Sequence, residues 1–171
     1  MAEQWALIED FPDYSVSDHG RVRSNKTGRI LVLTVNQFGL QQVGLRRDGR
    51  QWHRSVPLLV AKAFLPELPV RHKRPFDTPI NLDGNRLNNH VSNLAWRPRW
   101  FAIMYNRQFQ QPYENPILTP VVDLNSGEIS DSSTDAAKRY GLLEKDLVLS
   151  ILNRTYVWPT YQEFAIYEKS Y

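Results

Sequence analysis

Hydrophobic and polar positions alternate in short stretches over residues 12–50 and switch to a helical period soon after. Tyr14-Ser15-Val16-Ser17 and Arg21-Val22-Arg23-Ser24 each alternate, with Val22 on the inner face, and Asp18-His19-Gly20 between them signals a turn. Thr27-Gly28 turns the chain into residues 29–33, which read as a further strand. Residues 40–45 read as the next, and Asp48-Gly49 beyond them is a strong hairpin signal. Over residues 56–64 the pattern becomes helical: Leu59, Val60, Ala63 and Phe64 fall on one face, and Pro57 is acceptable only in the first turn.

The second half is predicted to run differently. Residues 65–79, rich in proline and charge, read as a loop, residues 80–96 as Asn-rich and irregular, and residues 100–110 as a helix. Residues 111–120 hold three prolines and form the best linker in the chain. Residues 120–124 then read as a strand, Asn125-Ser126-Gly127 as a turn and Glu128-Ile129 as the return. Ser132-Ser133-Thr134 can cap a helix over residues 135–140, Gly141 breaks it, and a second helix over 144–152 carries Leu147, Val148, Ile151 and Leu152 on one face. An alternating strand over 161–167 closes the chain. Helix, glycine turn and helix at this spacing is the outline of a helix-turn-helix, although helical hairpins are also common core elements.

Composition narrows the classes. A chain of 171 residues with 42% hydrophobic and 23% charged positions can fold as one domain or two small ones. No apolar run approaches the roughly 20 residues of a membrane span, and Met1-Ala2-Glu3-Gln4-Trp5 lacks the pattern of a signal peptide, so a cytoplasmic protein with no membrane partner is expected. The absence of cysteine excludes disulfides, thiol catalysis and Cys-based zinc sites. Residues 1–110 hold 16 Lys/Arg against 9 Asp/Glu, a balance of +7, while residues 111–171 hold 5 against 9, a balance of −4. The basic excess, mostly Arg, suits phosphate and guanine contacts, though a solvated face has the same composition.

Three segments in order resemble the phage HNH homing endonucleases. Trp5…Ile8…Phe11…Tyr14-Ser15-Val16-Ser17-Asp18-His19-Gly20-Arg21-Val22-Arg23-Ser24 is similar to their N-terminal DNA-contacting module. Asp83-Gly84-Asn85…Asn88-Asn89…Asn93-Leu94-Ala95-Trp96 resembles the ββα-metal core, and residues 120–167 resemble the C-terminal helix-turn-helix repeat. The resemblance implies an α+β chain: a β-rich module at 1–50, an HNH-like ββα core at 51–110, a linker at 111–119 and a helix-turn-helix domain at 120–171.

In that family a histidine takes a proton from water, and a carboxylate with an amide or imidazole holds one Mg²⁺ or similar ion on the scissile phosphate. The resemblance places the base and a metal carboxylate at Ile80-Asn81, the first histidine at Pro57 and the late metal-binding asparagine at Ala102. Isoleucine cannot ligate and asparagine cannot take the proton, so a fold without its chemistry is expected. His53, His72 or His90 could supply a displaced base, and Asp83 is a weak candidate for metal, its alternative role being to form the turn. The resemblance places Arg21, Arg23, Lys26 and Arg29 against DNA. Arg46 and Arg47, the loop cluster Arg71-His72-Lys73-Arg74, and Lys145 and Ser150 on the second helix are further candidates, with Glu144 and Asp146 repelling phosphate beside the last pair. The expected partner is double-stranded DNA, with no cofactor. A Mg²⁺- or Mn²⁺-dependent nickase, and a factor whose acidic tail docks a host or phage protein, are the alternatives.

Overall fold

The protein is described by a computed structural model over residues 2–66 and 76–168. Its contacts divide it into two units, Met1–Asn81 with Asn85–Ala102, and Leu82–Gly84 with Ile103–Tyr171.

The first unit opens with an antiparallel sheet of β1 (Trp5–Ile8), β2 (Phe11–Ser17) and β3 (Val22–Ser24), in that order. The expected alternation holds, since Val16 and Val22 are paired and both buried. Gly20 carries the turn between β2 and β3 at φ +82°, and a Cβ there would lie 3.1 Å from the Cβ of Asn89. Only glycine allows both that backbone and that approach.

A second antiparallel sheet contains β4 (Thr34–Val35), β5 (Gln41–Arg47) and β6 (Arg50–Ser55). Asp48 and Gly49 both have positive φ in the tight β5–β6 turn, as two-residue hairpin loops that follow strand twist require. The strand expected over 29–33 is not formed. Ile30 makes one isolated bridge to Arg23, while Leu31 and Leu33 pack on the core without a continuous strand partner.

Helix α1 (Val56–Phe64) follows β6 directly, with Pro57 in its first turn, over the bounds its pattern predicts. Segments expected as loop and irregular chain supply β7 (Thr78–Asn81) and β8 (Leu94–Arg97), an antiparallel pair in the register Ile80↔Ala95 and Asn81↔Leu94. Ile8, Phe11, Val16 and Val22, then Val43 and Leu45, then Val56, Leu59 and Val60, and finally Leu94 form one apolar cluster. Residue 50 is therefore no core boundary: the β-rich segment and the chain after it close a single core.

Helix α2 (Arg99–Gln108) begins in the first unit and continues into the second. In the second unit Tyr105 donates its hydroxyl to the Leu82 carbonyl at 2.6 Å, and the Phe109 ring lies over Gly84. Gly84 has φ +78°, and a Cβ would come within 2.4 Å of that ring. Beyond residue 111 come β9 (Val121–Asp123), β10 (Ile129–Ser130), α3 (Ser133–Tyr140), α4 (Glu144–Asn153) and β11 (Phe164–Ile166). The strands order β10-β9-β11. Of the expected capping residues Ser132-Ser133-Thr134, Ser132 is the cap and accepts from the Asp135 N–H, so α3 starts at Ser133, two residues before its expected start, and stops at Gly141. Ala136, Ala137, Leu142, Leu147, Ile151 and Phe164 carry the core of this unit. Among the described residues no helix is long and apolar enough to cross a membrane.

Candidate nucleic-acid interface

The basic N-terminal face is built on an aromatic platform. The guanidinium of Arg23 lies 4.3 Å from the centroid of the Trp5 ring and that of Arg21 lies 5.7 Å from it. Cations over a ring face are held electrostatically while their N–H groups stay available. Arg21 is also clamped by both oxygens of Glu3, with Nε donating to Oε1 at 2.8 Å. Lys26 donates to Asp13 at 2.6 Å, and that hydrogen bond raises its pKa above the ordinary lysine value. Two of the four cations expected on DNA thus already hold carboxylates, which a phosphate must displace. Arg29 is exposed, with no carboxylate partner among the described residues.

The second sheet supplies a polar outer surface. Register puts Thr34 beside Gln42, His53 beside Gly44 and Gln51 beside Arg46, opposite the side that buries Val43 and Leu45. Arg46 is exposed on this outer side. Arg47, one residue on, turns the other way, lying 5.2 Å from the Phe11 ring and donating to the Asp10 carbonyl at 2.8 Å. From His19 to Arg47 the chain holds six Lys/Arg and no Asp or Glu. Arg71, His72, Lys73 and Arg74 lie outside the described residues.

The positions where the resemblance expects chemistry are packed shut. Pro57 is buried in the first turn of α1, and Ile80 and Ala102 are buried aliphatic side chains. Asn81 is buried and donates its amide to the Asn88 carbonyl at 2.8 Å and to Asn89 Oδ1 at 3.0 Å. Asn89 in turn donates to Gln41 Oε1 at 2.9 Å, tying the Asn-rich loop to β5. The loop is further pinned to β2 and β3: the Val91 N–H donates to the Asp18 carbonyl, and the His19 and His90 rings sit 4.6 Å apart.

His90 is a poor displaced base. Its Nδ1 caps the short turn Val91–Asn93 by accepting from the Ser92 N–H at 3.2 Å, with Ser92 Oγ at 2.8 Å, so its one lone pair is engaged. His53 is exposed on the outer side of β6. Asp83 is exposed in the turn fixed by Gly84. Among the described residues no three His, Asp or Glu side chains gather as a metal site, and the aliphatic and hydrogen-bonded groups at the four expected positions do not fit a divalent cation.

The second unit departs from expectation at two residues. Ser150 is buried, with its hydroxyl donating to the Leu147 carbonyl at 2.7 Å, so it is no DNA contact. Glu144 is buried too and accepts from Ser133 at 2.8 Å and Thr134 at 2.6 Å; it ties α4 to α3 instead of repelling phosphate. Lys145, Asp146, Leu149, Leu152 and Asn153 are what α4 shows to solvent. Sequence reasoning also missed the Trp5 platform and the Asn89–Gln41 tie, both long-range pairings with no local signature.

Residues 3–46 match the NUMOD4 motif. DNA endonuclease I-HmuI of Bacillus phage SP01 is 32% identical over 98 residues, which is 54% of this chain and 51% of that protein. An uncharacterized HNH endonuclease of Acanthamoeba polyphaga mimivirus is 30% identical over 96 residues, 56% of this chain and 27% of the relative. The H-N-H endonuclease F-TflII of Escherichia phage T5 is 29% identical over 99 residues, covering 54% and 47%. The chain thus spans about half or less of the curated relatives it matches. A solved structure titled "DNA binding and cleavage by the HNH homing endonuclease I-HmuI" superposes with a TM-score of 0.53, covering 98% of this chain and 99% of that chain at 22% identity. The resemblance to phage HNH homing endonucleases is borne out, by sequence over about half of the chain and by fold over nearly all of it.

Proposed function

We propose that this chain binds duplex DNA and does not cut it. The observation that carries the reading is a contrast within one unit. The segment from His19 to Arg47 holds six cations and no acidic residue of its own, while Pro57, Ile80 and Ala102 fill expected catalytic positions with buried groups that neither ligate nor take protons, and Asn81 with a buried amide that cannot take one. The polar scaffold around those positions remains hydrogen-bonded throughout. The relatives named above as endonucleases support DNA as the ligand, and Arg29, Arg46 and the Trp5-borne arginines are the cations that would contact phosphate and give affinity independent of sequence.

For the second unit the helical pair α3–α4 is read as a helix-turn-helix that docks protein instead of a groove. One observation favours this: Leu149 and Leu152 are exposed on α4, 66% in the case of Leu152, beside the carboxylate of Asp146. The test is binding of random duplex across a salt series together with incubation of supercoiled plasmid in Mg²⁺ or Mn²⁺. Salt-sensitive binding with intact plasmid is expected. Metal-dependent nicking, abolished by EDTA, would replace this reading with that of an active nickase.

A further inference from the structure

The β4–β5 loop ends in an aromatic ring with nothing over it. Phe38 is 70% exposed, yet its loop is not loose. Asn36 Oδ1 accepts from the N–H groups of both Phe38 and Leu40 at 3.0 Å, the Gly39 N–H returns to the Asn36 carbonyl at 2.9 Å, and the Asn36 N–H closes on the Leu40 carbonyl at 3.0 Å. From the Asn-rich loop, Arg86 donates to the Phe38 carbonyl, which fixes a guanidinium at the backbone of the tip. Leu87, next to Arg86, is 52% exposed, and its N–H is held by Asn85 Oδ1 at 3.0 Å. The tip therefore presents a ring and a guanidinium together, held in place by its own hydrogen bonds, to a ligand that offers a stacked apolar surface beside an anion.

Resting on the DNA-binding reading above, we propose that Phe38 is a wedge that enters a base-pair step of duplex DNA, with Arg86 holding the adjacent phosphate. The flanking chain carries no carboxylate to repel a duplex: residues 30–45 hold no charge at all, and every charged residue between His19 and Arg47 is basic. One aromatic ring matches the width of a base step. It is too small to make a stable protein interface, which needs on the order of 1,000 Å². A preorganised tip enters without an ordering cost, and an apolar wedge unstacks and unwinds the step it enters. Pyrimidine–purine steps, which unstack most easily, are the favoured place. The wedge thus adds shape-based site preference at a residue that makes no hydrogen bond to a base.

Unwinding is read directly by relaxing closed circular plasmid with a type I topoisomerase while the intact protein is bound, then removing protein and resolving the topoisomers. Wild type is expected to leave the plasmid underwound in proportion to protein bound. Phe38→Ala should bind with the same salt slope, lose about 5-fold or more in affinity, and leave the topoisomers where naked plasmid leaves them. Phe38→Trp should restore the shift. Thermal melts of both variants should overlay wild type, because the ring is exposed. Binding without any linking-number change in wild type, or an equal change with Phe38→Ala, overturns the wedge while DNA binding stands. No plasmid binding by wild type overturns the DNA reading and the wedge with it.

Discussion

Asn81 holds its position in the centre by hydrogen bonds that the amide donates. Its amide donates to the Asn88 carbonyl and to the Oδ1 of buried Asn89, which itself reaches Gln41 in another sheet. Asn81→Ala removes the donor to Asn89 Oδ1 and leaves the Asn88 carbonyl to Asn93 alone, and should cost about 1–3 kcal/mol by chemical denaturation. Asn81→Asp should cost more at neutral pH, because its carboxylate would face two oxygens. Burial and those oxygens would raise its folded pKa above the unfolded value of about 3.9. The penalty is therefore present above that value and shrinks as pH falls below the folded one, so the Asp and Ala variants should converge on acidification. A pH-independent gap would contradict the hydrogen-bond map. The same scale decides which cations reach DNA. Replacing Arg29 or Arg46 by Ala should each lower the log–log salt slope by about 0.9 per lost phosphate contact. Arg21→Ala should lower it less, since Glu3 already neutralises Arg21. Equal drops for all three would mean that the Glu3 pair does not survive in solution.

At the scale of elements, local signals were legible and long-range ones were not. Helix α1 followed from its period and Pro57, the hairpin from Asp48-Gly49, and α3 from Ser132 and Gly141. The β7–β8 pair was missed because two four-residue strands meet across an irregular loop, and Pro79 within β7 argued against a strand. On α4 the inner face is Glu144, Leu147, Val148 and Ile151. Ser150 and Leu152 each lie about 100° from its centre, on opposite borders, where helical period cannot decide and packing buried the serine. Asp123 gives the β9–β10 turn a testable pH dependence. Burial raises its pKa, but hydrogen bonds from Ser126, the Asn125 N–H and Gln162 outweigh that and hold it below the ordinary aspartate value. A depressed folded pKa stabilises above the unfolded value of about 4 and is lost as pH falls through the folded one. Asp123→Asn should lower stability at pH 7, and its deficit should narrow as pH drops below about 4. A constant deficit down to pH 2 would show that the carboxylate charge contributes nothing there.

At the scale of the molecule, the candidate site was legible as a pattern of loss. The Tyr14–Ser24 frame, the Asp83-Gly84-Asn85 turn and the substituted positions were all visible in the sequence, whereas the contacts that made each substitution structural were not. Gly20 must pass Asn89, Phe109 must cover Gly84 and Asn81 must reach Asn88, so a change at any of these scaffold positions disturbs packing whatever the chemistry of the site. The fold can therefore present its basic segment whatever groups occupy its centre. The most direct test is the nicking rate of supercoiled plasmid saturated with homogeneous protein in Mn²⁺, measured for wild type and for Asp83→Ala, His72→Ala and His90→Ala. The account predicts that all four leave the plasmid closed at the rate of an EDTA control while retaining salt-sensitive binding. Nicking by wild type that any of these substitutions abolishes would contradict it and return the chain to the active nucleases.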